Sequence, residues 1–224
     1  MLRRRFLLCG LTPVIGPVVV ALAPRPDLVR GLGTGFRLFT RAYAARPTTE
    51  AAVMALETGF YPHAAVGKPR LLRVVHWSGG PLPPGPSLFV TSAHGGQQDD
   101  WHERSARVPL AVRGRAFLPG VDDGLVSIAD VARGLERRES VFSYGRLGQP
   151  DEWRMVVRGL DKLVVNARME ATGLFNLGLD PHEESNLAES MGHVLLRDEL
   201  LAHLRAWIKR IGYRIDPSGL KQRP

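Results

Sequence analysis

Residues 173–188 limit the fold of this chain more than any other segment. Four apolar residues suited to a β-strand come first, namely Leu174, Phe175, Leu177 and Leu179. An Asp-Pro pair at 180–181 then ends the strand, because proline fixes φ and has no N–H to donate to a β-ladder. Ser185 or Asn186 is placed to cap a helix that follows. The segment therefore predicts a strand, a tight turn and a helix start.

Length and composition indicate an ordinary globular protein. The chain has 224 residues, of which 44% are hydrophobic and 23% are charged, so it can bury one substantial core. Its single cysteine, Cys9, excludes an internal disulfide and a cysteine-based zinc site.

The chain is basic, with a formal net charge of +8, and 26 of its 30 basic residues are arginine. Nucleic-acid-binding proteins cluster such residues along one face or helix. Here the arginines are scattered along the sequence, so we expect no nucleic-acid partner. A basic surface can still bind other polyanions, such as a sulfated polysaccharide or an anionic lipid.

The N-terminus has the pattern of an export signal. Residues 3–8 read RRRFLL, which resembles the twin-arginine pattern R-R-x-F-L-K, and an apolar run follows over residues 7–23. The run ends in Ala21-Leu22-Ala23, an A-x-A cleavage pattern. We therefore expect a signal segment over 1–23 and a periplasmic or extracellular location, with residues 6–23 as an alternative membrane anchor. The competing interpretation is a buried strand over residues 18–22.

Strand-like and helical patterns alternate along the rest of the chain. Strands are predicted at residues 36–40, 71–77, 88–90 and 108–112, with a hairpin of 154–157 and 162–165 around Gly159. Helices are predicted at residues 50–57 and 127–137, and a closing helix is marked by an apolar face from Leu196 to Ile211. This mixture indicates an α/β or α+β protein, with an antiparallel part and a covering helix from about residue 141.

The strand-and-turn segment at 173–188, GLFNLGLDPHEESNLA, resembles the "LYDL..DP.E..NL" segment of sulfatases, which belong to the alkaline-phosphatase superfamily. Residues 42–63 resemble "AYAAAPTT.PS..SLLTG.YPH", and LFVTSAHG at 88–95 resembles "VVVTSDHG". Weaker likenesses occur in the family order at residues 25–40, 107–114, 126–131 and 161–164.

This resemblance implies an α/β fold: an alkaline-phosphatase/sulfatase-like sheet with flanking helices, reduced, plus a C-terminal antiparallel hairpin and covering helix. It divides the chain into the signal segment 1–23, a reduced core at 24–140 and a C-terminal subdomain at 141–224. The family carries much more chain than is found here between residues 63 and 91. A sheet that lacks family strands exposes an edge that invites pairing with another chain.

The resemblance places Thr49 at the position of the catalytic nucleophile. Sulfatases carry there a Cys or Ser that is oxidised to formylglycine within C/S-x-P-x-R, whereas residues 49–53 read TEAAV. Threonine cannot become formylglycine by that route, although some phosphoesterase relatives use threonine directly. A hydroxyl at a helix N-terminus meets free N–H groups that favour a sulfate or phosphate. The alternative is that Thr48 or Thr49 only caps the helix.

His94 is the candidate metal ligand, because it occupies the second position of the family's "DHG". Family members bind a divalent metal, Ca or Mg, through this Asp and His and through two acids after the first strand. Ala93 replaces that Asp, and no "LIVVDDLR"-like segment is evident before Pro26. A replacement cluster is conceivable downstream; its members are Asp99, Asp100, His102 and Glu103. The alternative is a solvated acidic loop.

Three functions follow from these observations. The first is a sulfatase-like protein, a hydrolase of sulfate or phosphate esters by lineage, whose activity is impaired. The second is an active phosphoesterase with Thr49 as nucleophile and a rebuilt metal site. The third is a non-catalytic polyanion-binding protein. The expected partners are a small sulfate or phosphate ester or a sulfated glycan, together with a second copy or another chain that supplies the missing ligands.

Overall fold

A computed structural model describes residues 18–23, 25–85, 87–96 and 98–211. These residues form two β-sheets with helices packed against them. Within this part of the chain, no helix is both long and apolar enough to cross a membrane.

The larger sheet has six strands in the order β3-β1-β4-β5-β2-β6. They are β1 (Val18–Ala23), β2 (Arg37–Tyr43), β3 (Arg73–His76), β4 (Ser87–Ser92), β5 (Arg107–Gly114) and β6 (Gly120–Ser127). Strand β1 runs parallel to β3 and β4, and β2 runs parallel to β6. Strand β5 is antiparallel to both of its neighbours, so β1, β2 and β4 all point the same way.

The end of the apolar N-terminal run forms β1 inside the sheet, as the buried-strand alternative to a signal segment over 1–23 predicts. Val20 and Leu22 are 0% and 2% exposed. A run of β-branched valines suits a strand that is buried on both faces. Cleavage after Ala23 would remove a strand that pairs on both sides. The twin-arginine residues lie outside the described part of the chain.

Helices cover both faces of this sheet. Helix α1 (Pro26–Arg30) packs on one face, where Val29 meets Leu88 and Ala111. Helices α2 (Thr49–Thr58) and α3 (Pro62–Ala65) pack on the other. The predicted helix at 50–57 is confirmed, and it ends where Gly59 takes the left-handed conformation with φ of 71°.

The smaller sheet is an antiparallel meander of four strands in the order β10-β9-β8-β7. They are β7 (Ser140–Gly145), β8 (Trp153–Arg158), β9 (Asp161–Asn166) and β10 (Ala171–Asn176). The long helix α5 (Val194–Arg210) covers this sheet through an apolar face that includes Leu204 and Trp207. The hairpin around Gly159 and the closing helix are therefore confirmed.

Two local predictions are wrong. Residues 127–137 form only a 3₁₀ helix at Ile128–Arg133, which ends at Gly134 with φ of 103°, and the preceding strand β6 was not predicted. Asn186 does not cap a helix. Its Oδ1 accepts hydrogen bonds from the N–H groups of Leu174 and Ala188, and α5 begins only at Val194.

A buried ionic cluster, the Lys162 cluster, joins the two sheets and consists of Tyr43, Glu103, Lys162 and Glu183. Lys162 Nζ on β9 lies 2.6 Å from Glu183 Oε1 and 3.3 Å from Glu103 Oε1. The Tyr43 hydroxyl on β2 donates to Glu103 Oε2 at 2.9 Å. Helix α4 (Glu103–Ala106) and the turn in 173–188 supply the two carboxylates. The turn motif therefore has a structural role.

Candidate site at the carboxyl edge of the larger sheet

Three parallel strands of the larger sheet end at one edge. Because β1, β2 and β4 point the same way, their last residues, Ala23, Tyr43 and Ser92, share the carboxyl edge. The two candidate residues from the sequence follow these strands: Thr49 comes after β2 and His94 comes after β4. Open α/β sheets bind ligands at this edge, so the edge is the candidate site.

Thr48 and Thr49 have different roles at the N-terminus of α2. Thr48 is the N-cap, because its Oγ1 accepts a hydrogen bond from the N–H of Ala51 at 3.4 Å. Thr49 is the first residue of the helix and is exposed. Thr48 is therefore the residue that caps the helix, and Thr49 is left exposed at the helix N-terminus.

A pocket of about 550 Å³, the α2 pocket, lies in front of this helix end. Its polar lining consists of Arg46, Thr48, Thr49, Glu50, His63, Gln98 and Tyr144. Tyr144 belongs to β7 of the smaller sheet, so this sheet lines the pocket together with the loops that follow β2 and β4. The size is within the usual range of small-ligand sites.

His63 and Tyr144 form a linked pair in the α2 pocket. His63 Nδ1 lies 2.9 Å from the Tyr144 hydroxyl, which also accepts a hydrogen bond from the His63 N–H at 3.1 Å. Burial lowers the pKa of His63 below its ordinary value, and a hydrogen bond with the backbone of Ile211 opposes this only in part. His63 is therefore a neutral imidazole at neutral pH. No local sequence pattern marks His63 as a site residue.

Arg46 is held at the rim of the α2 pocket by Asp99. Its Nη2 lies 3.2 Å from Asp99 Oδ2, and the Asp99 N–H donates to the carbonyl of Pro47 at 2.8 Å. Asp99 has a φ of 53°, in the left-handed region that Asp tolerates better than most residues. The loop after β4 thus fixes an arginine beside the start of α2.

The replacement metal cluster considered at 99–103 does not form among the described residues. Asp100 Oδ1 lies 2.7 Å from His102 Nδ1, and Asp99 pairs with Arg46 instead. Glu103 is 8% exposed and belongs to the Lys162 cluster, so the solvated-loop alternative does not describe it either. Among the described residues, no three His, Cys, Asp or Glu side chains are grouped so that they could hold a metal ion.

The strand end at which the resemblance expects an acidic metal ligand carries alanine, and so does the neighbouring strand end. Ala93, 5% exposed, follows β4, and Ala23, 2% exposed, ends β1 opposite Ser92. His94 is half-buried, and burial lowers its pKa while a hydrogen bond with the Gly96 backbone opposes the shift. A hard divalent cation needs several oxygen ligands. A single imidazole, that of His94, beside alanine side chains does not provide the oxygen ligands that Ca or Mg requires.

Comparison with solved structures identifies the fold. No family model and no curated protein matches the sequence. A 2-O GAG sulfatase matches with a TM-score of 0.69 and 11% identity, over 93% of this chain and 96% of that chain. Ps i-CgsB matches with a TM-score of 0.61 and 10% identity, over 92% and 94% of the two chains.

A third match is the structure of a protein in complex with its substrate D-glucosamine-2-N,6-O-disulfate. Its TM-score is 0.51 at 14% identity, and the match covers 61% of this chain but only 36% of that one. Identities this low establish architecture, not activity. The predicted class is confirmed: this chain has a reduced sulfatase-like α/β fold.

Proposed function

We propose that this chain is a sulfatase-like protein that binds sulfate or phosphate esters in the α2 pocket but lacks efficient metal-dependent hydrolysis. The observation that carries the proposal is the composition of the carboxyl edge of the larger sheet. The helix N-terminus, the hydroxyl of Thr49 and Arg46 are present there, whereas Ala93 stands where the resemblance expects an acidic metal ligand.

Recognition of an oxyanion follows from the chemistry of the α2 pocket. The first N–H groups of α2 have no carbonyl partner within the helix, and the helix dipole places positive partial charge at this end. Thr49 adds a hydroxyl donor, and Arg46 adds the positive charge of a guanidinium whose Nε and Nη2 already donate to Asp99. These groups suit a tetrahedral sulfate or phosphate ester.

A sulfated sugar is the ligand class that we favour. One protein of similar fold is known in complex with a disulfated glucosamine. The α2 pocket is large enough for a monosaccharide, and Gln98 and Tyr144 provide further polar groups for its hydroxyls. An exported location, at the cell surface or in the periplasm, would give such a protein access to sulfated glycans.

The α2 pocket is poorly equipped to neutralise the negative charge of a bound ester. In metal-assisted ester hydrolysis, the cation neutralises the ester and activates the nucleophile. Ala23 and Ala93 offer no oxygen ligands, and the pKa of His94 is lowered, which leaves a neutral imidazole. The chain's own residues can therefore bind and orient the ester, but they supply less of the charge stabilisation that cleavage needs.

Two assays test this proposal together. Isothermal titration with D-glucosamine-6-O-sulfate should show saturable binding to wild-type protein, and Thr49→Ala should weaken it. Turnover of 4-nitrophenyl sulfate and 4-nitrophenyl phosphate should stay near background with or without added Ca²⁺, Mg²⁺ or Mn²⁺. Metal-stimulated turnover that Thr49→Ala abolishes would contradict impaired hydrolysis, and absence of binding would contradict the site itself.

A Thr-nucleophile phosphoesterase is the second candidate, and one observation favours it. Thr48 caps the helix, so Thr49 is not needed for that role. Thr49 is exposed and lines the α2 pocket. The neutral His63, whose Nδ1 lies against the Tyr144 hydroxyl, lines the same pocket and is the general base that this candidate requires. This candidate predicts 4-nitrophenyl phosphate turnover that falls to background in both Thr49→Ala and His63→Gln.

A further inference from the structure

A second cavity, the α1 groove, lies on the opposite face of the larger sheet. It encloses about 430 Å³ between α1 and the segment that contains α4. Helix α1 has only five residues and packs over β1, β4 and β5. The face of β2 beside it is left partly open, and Thr40 at its centre is exposed. The α1 groove shares no lining residue with the α2 pocket.

The floor and walls of the α1 groove are mostly apolar. Val29 comes from α1, Leu38 from β2, Pro109 from β5 and Pro181 from the turn after β10. Burying such side chains against a ligand contributes roughly 25 cal/mol per Å² of apolar area. The groove is therefore suited to an apolar body rather than to a fully hydrated solute.

The rim of the α1 groove is positively charged. Arg30, Arg104 and Arg107 line it, and all three are exposed. Arg107 Nε donates to the carbonyl of Thr40 at 2.6 Å, which holds its guanidinium along the floor. Arg104 Nε is 3.8 Å from Asp100 Oδ2, too far for a hydrogen bond, so its donors stay accessible.

No free carboxylate balances these arginines within the groove lining. Glu103 is the acidic residue that lines the groove among the described residues, and its side chain is only 9% exposed. Its carboxylate accepts hydrogen bonds from Tyr43 and Lys162 in the cluster described above. The groove thus combines an apolar floor with a rim of exposed arginines, of which Arg104 forms a long ion pair with Asp100.

We propose that the α1 groove binds a small amphipathic anion: a sulfonate, sulfate or carboxylate group attached to an aromatic or aliphatic body. The anionic group pairs with Arg104 and Arg107, where guanidinium forks match its oxygens. The apolar body lies on Leu38 and Pro109. Both parts of the ligand are required, since neither exposed arginines nor a shallow apolar floor holds a ligand tightly alone.

Isothermal titration with naphthalene-2-sulfonate tests this site. The expected result is saturable binding of one molecule per chain, about tenfold or more tighter than that of neutral 2-naphthol or of inorganic sulfate. Affinity should fall as ionic strength rises, because the charged rim is exposed.

Matched variants test whether the ligand binds in the α1 groove. Arg104→Gln/Arg107→Gln should weaken binding about tenfold, whereas Arg115→Gln, an exposed arginine outside the groove, should leave it within about twofold. Thermal unfolding verifies that the double variant folds. Thr49→Ala should also leave binding unchanged, which separates this site from the α2 pocket. Absence of saturable binding, equal binding by the double variant, or loss of binding in Thr49→Ala overturns the proposal.

Discussion

Ala23, the last residue of β1, lies opposite Ser92, the last residue of β4, so Ala23 and Ala93 occupy neighbouring strand ends. Both alanines are buried, and Ala93 stands where the sulfatase resemblance places an acidic metal ligand. These neighbouring strand ends therefore offer methyl groups and no oxygen ligands. This relationship is the basis for binding without efficient hydrolysis.

The first prediction concerns β1. Leu22→Ala should lower the free energy of unfolding by about 2–5 kcal/mol, because Leu22 is 2% exposed in a paired strand. Urea denaturation followed by circular dichroism measures this change. Leu179→Ala, at a site 88% exposed, is the control and should change it by less than about 0.5 kcal/mol. If residues 1–23 were removed as a signal, Leu22→Ala would leave the mature protein unchanged.

The N-terminal run shows why sequence alone leaves the boundary at residue 23 open. A short valine-rich run before an Ala-Leu-Ala triplet satisfies both an export signal and a strand buried on two faces. Only the pairing of β1 with β3 and β4 decides between them. Once β1 is in the sheet, its last residue, Ala23, lies beside Ser92 and the strand end that leads to Ala93, a neighbourhood that could not be located from the sequence.

The second prediction separates the two threonines of α2. Thr48→Ala should lower the free energy of unfolding by about 1 kcal/mol, since it removes the N-cap. Thr49→Ala should not destabilise the protein, because Thr49 is exposed within a helix and alanine has the higher helix propensity.

Titration with D-glucosamine-6-O-sulfate should show the reverse order, with Thr49→Ala causing the larger loss of affinity. Equal effects of the two variants on stability and on affinity would mean that Thr49 has no specific role in ligand binding in the α2 pocket.

The third prediction concerns the Lys162 cluster. Lys162→Met should destabilise the protein by about 3 kcal/mol or more, because it leaves Glu103 and Glu183 as buried carboxylates without their cation. Chemical denaturation of Lys162→Met beside Lys209→Met, an exposed lysine of α5, measures this cost. A similar small loss in both variants would show that the cluster does not hold the two sheets together.

The fourth prediction is a pH dependence at Asp122. Burial alone would raise the pKa of Asp122, but hydrogen bonds from Arg137, the Gly124 N–H and Arg37 outweigh it and hold the pKa below its ordinary value. The folded state therefore favours the carboxylate. Its contribution to stability is present above the unfolded pKa of about 3.9 and is lost as pH falls further through the folded pKa.

Asp122→Asn should therefore cost about 2 kcal/mol in the free energy of unfolding at neutral pH, and the difference from wild type should shrink below about pH 4. Asp123→Asn, a neighbouring exposed carboxylate, is the control and should show no such trend. Denaturation curves at about pH 7, 5 and 3 provide the comparison. A difference that stays constant with pH would contradict the stabilisation of the Asp122 carboxylate.

The elements that sequence predicted well have strong local signals. Helix α2, the β8–β9 hairpin and helix α5 all follow from apolar periodicity and from glycine at the turns. Strand β6 was missed because Gly120, Asp122 and Asp123 are poor strand formers. Its place is set by pairing with β2 and by the arginines around Asp122.

The site was only partly predictable for a related reason. Thr49 and His94 were selected because a resemblance marks their positions, and the structure places both after strands that share the carboxyl edge. The pairing of His63 with Tyr144 joins residues that are 81 positions apart, and no local pattern signals it. Asp99, which looked like a metal ligand, proved to be the partner of Arg46.

The most direct test of the account is the divalent-metal content of the purified protein, measured by elemental mass spectrometry after incubation with Ca²⁺, Mg²⁺, Mn²⁺ or Zn²⁺ and removal of free ions. The account predicts that no metal is retained at one equivalent per chain, because Ala23 and Ala93 supply no ligand oxygens. About one tightly held ion per chain, lost in His94→Ala, would contradict it and would restore metal-dependent hydrolysis as the function.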